Sequence, residues 1–211
     1  MKPALELKQG SLVTNQRRSE QIRRCFLEHR IVALNMVSAP GAGLTTLLEW
    51  TVAALTTRLD VVVIKRPPAF SDAPSAPPMA ADAADNLDAN WVGATLARLS
   101  LPDDSLVLMD NAGALGQPLA FGLGETYRVI VLAASDGEEA IVNFEWDMEN
   151  TDLLLLNKID RVPDAELSVR RCSELVRQIN PTMQVLPVSA TRGDGMNDWL
   201  ERIERWWQVL Q

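Results

Sequence analysis

The chain has 211 residues, 47% of them hydrophobic and 23% charged, with a formal net charge of −8. That composition fits one medium domain with a sizeable core and excludes a disordered or fibrous chain. The acidic balance disfavours general binding to phosphate backbones. Two cysteines and one histidine leave no inventory for a disulfide scaffold or an imidazole-rich metal site.

Residues 1–15 are polar and read as a tail. No stretch has the apolar length of a signal peptide or a membrane span, so the cytoplasm is the expected compartment, with no membrane or nucleic-acid partner. Gln16 to His29 predicts a helix with Ile22, Cys25 and Phe26 on one side, and it opens a single domain over 16–211. Ile31 to Val37 is a run of strand length. It leads into the turn-forming stretch Ser38 to Thr46, after which Leu47, Leu48, Val52 and Leu55 recur at helical spacing. Val61 to Ile64 predicts a second strand. Residues 66–84 hold five prolines among alanines and read as a loop.

Leu87 to Leu99 predicts an amphipathic helix burying Leu87, Trp91, Leu96 and Leu99. Strands are expected at Leu106 to Met109, Val129 to Ala133, Leu153 to Leu156 and Val185 to Val188, with a helix from Ala165 to Ile179 before the last of them. A closing helix from Met196 places Trp199, Leu200, Ile203, Trp206 and Leu210 on one stripe, leaving Trp207 as a candidate exposed contact. Apolar strands alternating with helices imply an α/β fold with a mainly parallel sheet, whose ligand site lies at the carboxyl ends of the strands. Asp110, Asn157 and Ser189 fall at such ends.

Three segments carry chemistry. Asn157-Lys158-Ile159-Asp160 follows an apolar strand in the N-K-x-D pattern of guanine-nucleotide proteins. A carboxylate at Asp160 can accept from guanine N1–H and the 2-amino group, which adenine does not offer. The Lys158 stem can lie on the base, Asn157 can tie loops together, and an amide near Ala190, after Ser189, can donate to guanine O6. Ser38 to Thr46 approaches a P-loop. Gly41, Ala42 and Gly43 supply the turn, Thr45 stands at the Mg²⁺-hydroxyl position with Thr46 beside it, but Leu44 occupies the lysine position. Asp110-Asn111-Ala112-Gly113 pairs an acidic residue with a glycine after a strand, the pattern of a Mg²⁺-linked switch, with Gly113 as its glycine.

In this order the segments resemble the hydrogenase nickel-incorporation GTPases (HypB) of the SIMIBI class of P-loop proteins. The likeness also takes in Leu87-Asp88-Ala89, Phe121-Gly122-Leu123-Gly124-Glu125, Asn180-Pro181 and Gly193-Asp194-Gly195-Met196. Urease-type nickel GTPases are near relatives. The resemblance implies a single-domain SIMIBI-type P-loop NTPase with helices flanking the sheet, acting in nickel delivery to [NiFe]-hydrogenase through nucleotide-linked dimerisation. Several positions depart from that pattern. The family's lysine is Leu44. Its acidic segment after the second strand is Lys65-Arg66-Pro67-Pro68. Asp85-Asn86 stand where its Cys-His pair belongs, Gln117 replaces a cysteine before Pro118, and Asp136 to Ala140 replace its lysine-bearing switch segment.

The Mg²⁺, γ-phosphate and nickel positions are altered together, while guanine-base and core positions remain. The resulting expectation is a pseudo-GTPase: an accessory protein of hydrogenase maturation that works by partner binding, with weak or lost hydrolysis and no catalytic residue. Its candidate cofactor is GTP or GDP, with Thr45 and Asp110 as Mg²⁺ ligands only if a nucleotide binds; a nickel site is not expected. Candidate partners are a hydrogenase subunit, a maturation factor, an intact HypB-type homologue or a second copy of the chain. Two alternatives stand beside it. One is an active nickel-insertion GTPase in which Lys65, at the end of the strand beside the P-loop, reaches the phosphates; a solvated lysine is the plainer reading of that residue. The other is a structural subunit that binds no nucleotide. Cys25 and His29, four apart on a helix, suit two metal ligands, although a buried thiol beside a surface imidazole is the plainer arrangement.

Overall fold

The computed structural model describes residues 3–65, 87–116 and 122–210, with side chains from residue 14 onward. The proline-rich loop at 66–84, Asp85-Asn86, Gln117-Pro118 and Phe121 lie outside the described residues.

Six strands, β1 (Val32–Ser38), β2 (Val61–Lys65), β3 (Leu106–Ala112), β4 (Tyr127–Ala133), β5 (Leu153–Asn157) and β6 (Gln184–Pro187), form one sheet in the order β2-β3-β1-β4-β5-β6. Every pairing is parallel. The chain leaves β1 toward β2 and β3 on one side and returns to β4 on the other, so the carboxyl end of β1 lies at the topological switch point where α/β sheets bind ligands. Four consecutive leucines, Leu153 to Leu156, are all buried, as a strand covered on both faces requires.

Helices α1 (Pro3–Glu28), α2 (Leu44–Leu55), α3 (Ala89–Leu96), α4 (Gly137–Asn143), α5 (Glu145–Met148), α6 (Ala165–Ile179) and α7 (Met196–Leu210) complete the fold. The larger apolar cluster joins the sheet to Leu47 and Leu55 of α2, Cys172 and Val176 of α6, and Trp199 and Ile203 of α7. The smaller one joins Ile22 and Phe26 of α1 and Val92 of α3 to Ala33, Val107 and Met109. Alternation along β3 therefore sends Leu106 and Leu108 to the α2 face and Val107 and Met109 to the α1 face. Asp110, next in the first series, belongs to the α2 face. Lys65 is its register partner on β2 and shares that face.

Several elements differ from the sequence expectation. The helix expected from Gln16 begins at Pro3 and runs through the stretch read as a tail. Leu5, Glu6, Leu7, Lys8 and Gln9 are ordinary helix formers, and proline is tolerated at a first helical position. The helix expected over Leu87 to Leu99 contracts to α3, because Asp88 caps its start by accepting from the Trp91 amide at 2.9 Å; Leu99 ends up exposed. Cys25 is exposed rather than buried, and the buried thiol is Cys172. The Trp207 indole is not a free surface ring, since its N–H donates to Asp104 O at 2.8 Å. Among the described residues no helix is long and apolar enough to cross a membrane.

Candidate functional site

β1 ends at Ser38 and the chain turns through Ala39 to Gly43 into α2. Gly43 has φ +90°, and a Cβ on it would lie 2.6 Å from Asn157 Nδ2, so only glycine fits the turn. The loop is held from outside. Asn157 Nδ2 donates to Ala42 O at 2.8 Å, and Lys158 Nζ donates to Gly41 O. The first and second glycine-loop residues are thus tied to the turn after β5, and the two motifs singled out in the sequence form one crevice.

Leu44 is the first residue of α2 and is only 3% exposed, packed in the larger core cluster. The position at which the P-loop pattern has lysine is here an aliphatic side chain that belongs to the apolar interior. Thr45 and Thr46 follow on the exposed side of the helix.

In the N-K-x-D turn, the Ser189 hydroxyl donates to Asp160 Oδ1 at 2.6 Å. That hydrogen bond is the main cause holding the Asp160 carboxyl below its ordinary range, with a backbone amide and the charges of Arg161 and Arg192 adding to it against the cost of burial. A lowered value keeps the group a pure acceptor at neutral pH and through mild acid. In Ser189→Ala the carboxyl midpoint should rise toward the ordinary aspartate value, read by NMR titration of the Asp160 side chain. An unmoved midpoint would remove Ser189 as the cause. The Ala190 amide, expected to face guanine O6, donates to Asn157 Oδ1 at 3.1 Å.

Asp110 is buried, and both its oxygens are engaged. Oδ1 accepts from the Ala112 amide at 3.3 Å, and Oδ2 lies 3.0 Å from Lys65 Nζ. Lys65 is more than half exposed, as the plainer sequence reading has it, and is also paired with Asp110. Its strand is not beside the P-loop strand, because β3 intervenes between β2 and β1. Gly113 closes this side, its amide donating to Ser38 O at 3.0 Å.

Local sequence reading missed a polar network on the α1 face of the sheet. Asn35 Nδ2 donates to Glu125 Oε1 at 3.0 Å, Asn111 Nδ2 donates to Asn35 Oδ1 at 3.3 Å, and Asn111 Oδ1 accepts from the Leu87 amide at 3.0 Å. All three side chains are buried. They join β1, β3 and the approach to β4, so Asn111 and Glu125, read as motif members, have a bracing role in this chain.

His29 Nδ1 contacts Asp103 Oδ1 at 2.7 Å. Among the described residues no group of three or more His, Cys, Asp or Glu side chains is placed to hold a metal ion.

A parallel sheet whose first strand passes through a glycine turn into a helix, with an N-K-x-D turn braced on that loop, defines a P-loop nucleotide-binding fold. The profile of the family described as "CobW/HypB/UreG, nucleotide-binding domain" matches residues 102–187. The hydrogenase maturation factor HypB of Azotobacter vinelandii is 35% identical over 209 residues, covering 95% of this chain and 69% of that protein. The crystal structure of HypB from Archaeoglobus fulgidus superposes with a TM-score of 0.77 at 25% identity, covering 92% of this chain and 98% of that one. HypB from Helicobacter pylori, solved in complex with nickel, shares the fold with a TM-score of 0.79 at 18% identity over 93% of this chain and 96% of that one. The chain belongs to the HypB family of hydrogenase maturation factors.

Proposed function

We propose that the chain is an accessory HypB-type factor of [NiFe]-hydrogenase maturation that holds a guanine nucleotide with little or no hydrolysis and acts by binding a partner. The observation that carries this reading is Leu44, buried where a permanent cation would otherwise meet the β- and γ-phosphates. Losing one side of a close charge pair costs about 2–5 kcal/mol, and the same cation would stabilise charge developing in phosphoryl transfer. No protonation state of leucine restores it.

The guanine end supports retained recognition. Asp160 is ionised and oriented by Ser189, and Asn157 and Lys158 brace the P-loop. On this reading Gly41, Ala42, Gly43, Thr45 and Thr46 line the phosphates, with Asp110 and Gly113 alongside. Asn157, Lys158, Asp160, Ser189 and Ala190 surround the base, guanine O6 taking over the Ala190 amide from Asn157. The partner is a hydrogenase subunit or another maturation factor. An exposed apolar pair, Val142 of α4 and Trp146 of α5, the latter 84% exposed, supports a docking role.

The deciding measurement is phosphate release from GTP by the purified chain in excess Mg²⁺, with nucleotide binding followed in parallel. The expected result is release at the rate of the protein-free control while nucleotide remains bound. Multiple turnovers at a regulatory-switch rate would restore the enzyme reading with Lys65 as the relocated lysine.

A further inference from the structure

We propose that Lys65 is the resident cation of the nucleotide site, so that the chain binds guanine nucleotide without a divalent metal ion. This rests on the nucleotide-holding reading above.

Asp110 is the acidic residue at the carboxyl end of the sheet to which Mg²⁺ would be assigned. Its side chain is 3% exposed, and such a buried carboxylate needs a positive or hydrogen-bonding partner. Lys65 Nζ supplies it at 3.0 Å, and the Ala112 amide takes the other oxygen. A divalent ion arriving at Asp110 would meet an ammonium already in contact range and would have to displace it against like-charge repulsion. Asp110, so engaged, does not fit Mg²⁺.

Asp110 does fit an ammonium acting in place of the metal ion. Strand register puts Lys65 opposite Asp110, and the alternation of β3 puts both on the face of α2, the helix that starts from the P-loop. β2 stands two strands from β1, about 10 Å at ordinary spacing. A lysine leaning over Asp110 crosses one of those spacings. Its side chain is 55% exposed, and an ammonium has three donors, of which the Asp110 contact uses one. The remaining donors can serve phosphate oxygens, while Asp110 fixes the position of the charge. Only one positive charge is then supplied where a metal ion and a P-loop lysine would supply three. The arrangement suits holding a nucleotide better than cleaving it.

The test is titration of the purified chain with a fluorescent guanosine diphosphate, in EDTA and in millimolar Mg²⁺. The unaltered chain should bind with affinities within about twofold of each other in the two buffers. Lys65→Met should lose at least about tenfold in EDTA, the scale of one charge-assisted contact, and should regain affinity in Mg²⁺ because Asp110 is released. Lys65→Arg should retain metal-independent binding. Lys65→Met combined with Asp110→Asn removes the unpaired buried charge, guarding against a folding defect; this pair should bind weakly in both buffers. Binding by the unaltered chain that falls more than about tenfold on removing Mg²⁺ overturns the proposal and leaves the nucleotide-holding reading intact. So does Lys65→Met binding unchanged in EDTA. Absence of binding in both buffers overturns both.

Discussion

Replacing Asp160 by alanine is expected to erase the discrimination between guanine and adenine nucleotides. The carboxylate is positioned by the Ser189 hydroxyl at 2.6 Å and kept ionised by it. Hydrogen bonds to a charged group are stronger than those between neutral groups, and guanine offers two donors to this acceptor. Loss of both corresponds to roughly a hundredfold or more in affinity. Adenine presents neither donor, so its weaker binding should change little. Competition of unlabelled GDP and ADP against a fluorescent guanine nucleotide measures the ratio directly. A variant that keeps the unaltered chain's preference would show that the N-K-x-D turn does not read the base.

The largest expected loss of stability comes from Trp199→Ala. Trp199 is fully buried, heads the set of large enclosed side chains, and its indole N–H donates to Thr51 Oγ1 at 2.9 Å. Its ring meets Trp206 edge-on at 6.3 Å, and Trp206 stacks on Tyr127 at 4.3 Å. α7 is thereby pinned to α2 and to β4 by one side-chain column. Truncating a buried tryptophan costs about 3–5 kcal/mol. For a domain of this size that lowers the melting temperature by roughly 6–20 °C. Trp199→Phe keeps most of the buried area and loses the hydrogen bond, so it should cost about 1 kcal/mol. Thermal and urea melts of the two variants separate packing from hydrogen bonding. An alanine variant within about 1 kcal/mol of the parent would mean that α7 is anchored elsewhere.

Strands were readable wherever burial on both faces wrote a continuous apolar run, as in Leu153 to Leu156 and Val129 to Ala133. Helices were readable where a long apolar stripe met a clear start, as in α6 behind its Asp164 cap and α7 after Gly195. α4 and α5 escaped, since seven and four residues are too few to display a period. At the site, motif spacing identified the glycine turn, Asp110 and the N-K-x-D turn, and it flagged Leu44. It did not identify the Lys65–Asp110 pair, because which strand lies beside which is a property of the whole sheet. The Asn35–Asn111–Glu125 network and the Trp207–Asp104 contact were hidden for the same reason: their members are tens of residues apart in the chain.

Asn157 and Lys158 grip the carbonyls of Ala42 and Gly41, so the turn after β5 and the glycine turn after β1 are mechanically one piece. A protein pressing on residues 158–161 from outside would act as a lever on the opposite end of the crevice. On the proposed reading, a partner would then reach the phosphate end of the crevice through the turn after β5, with no group inserted beside the phosphates.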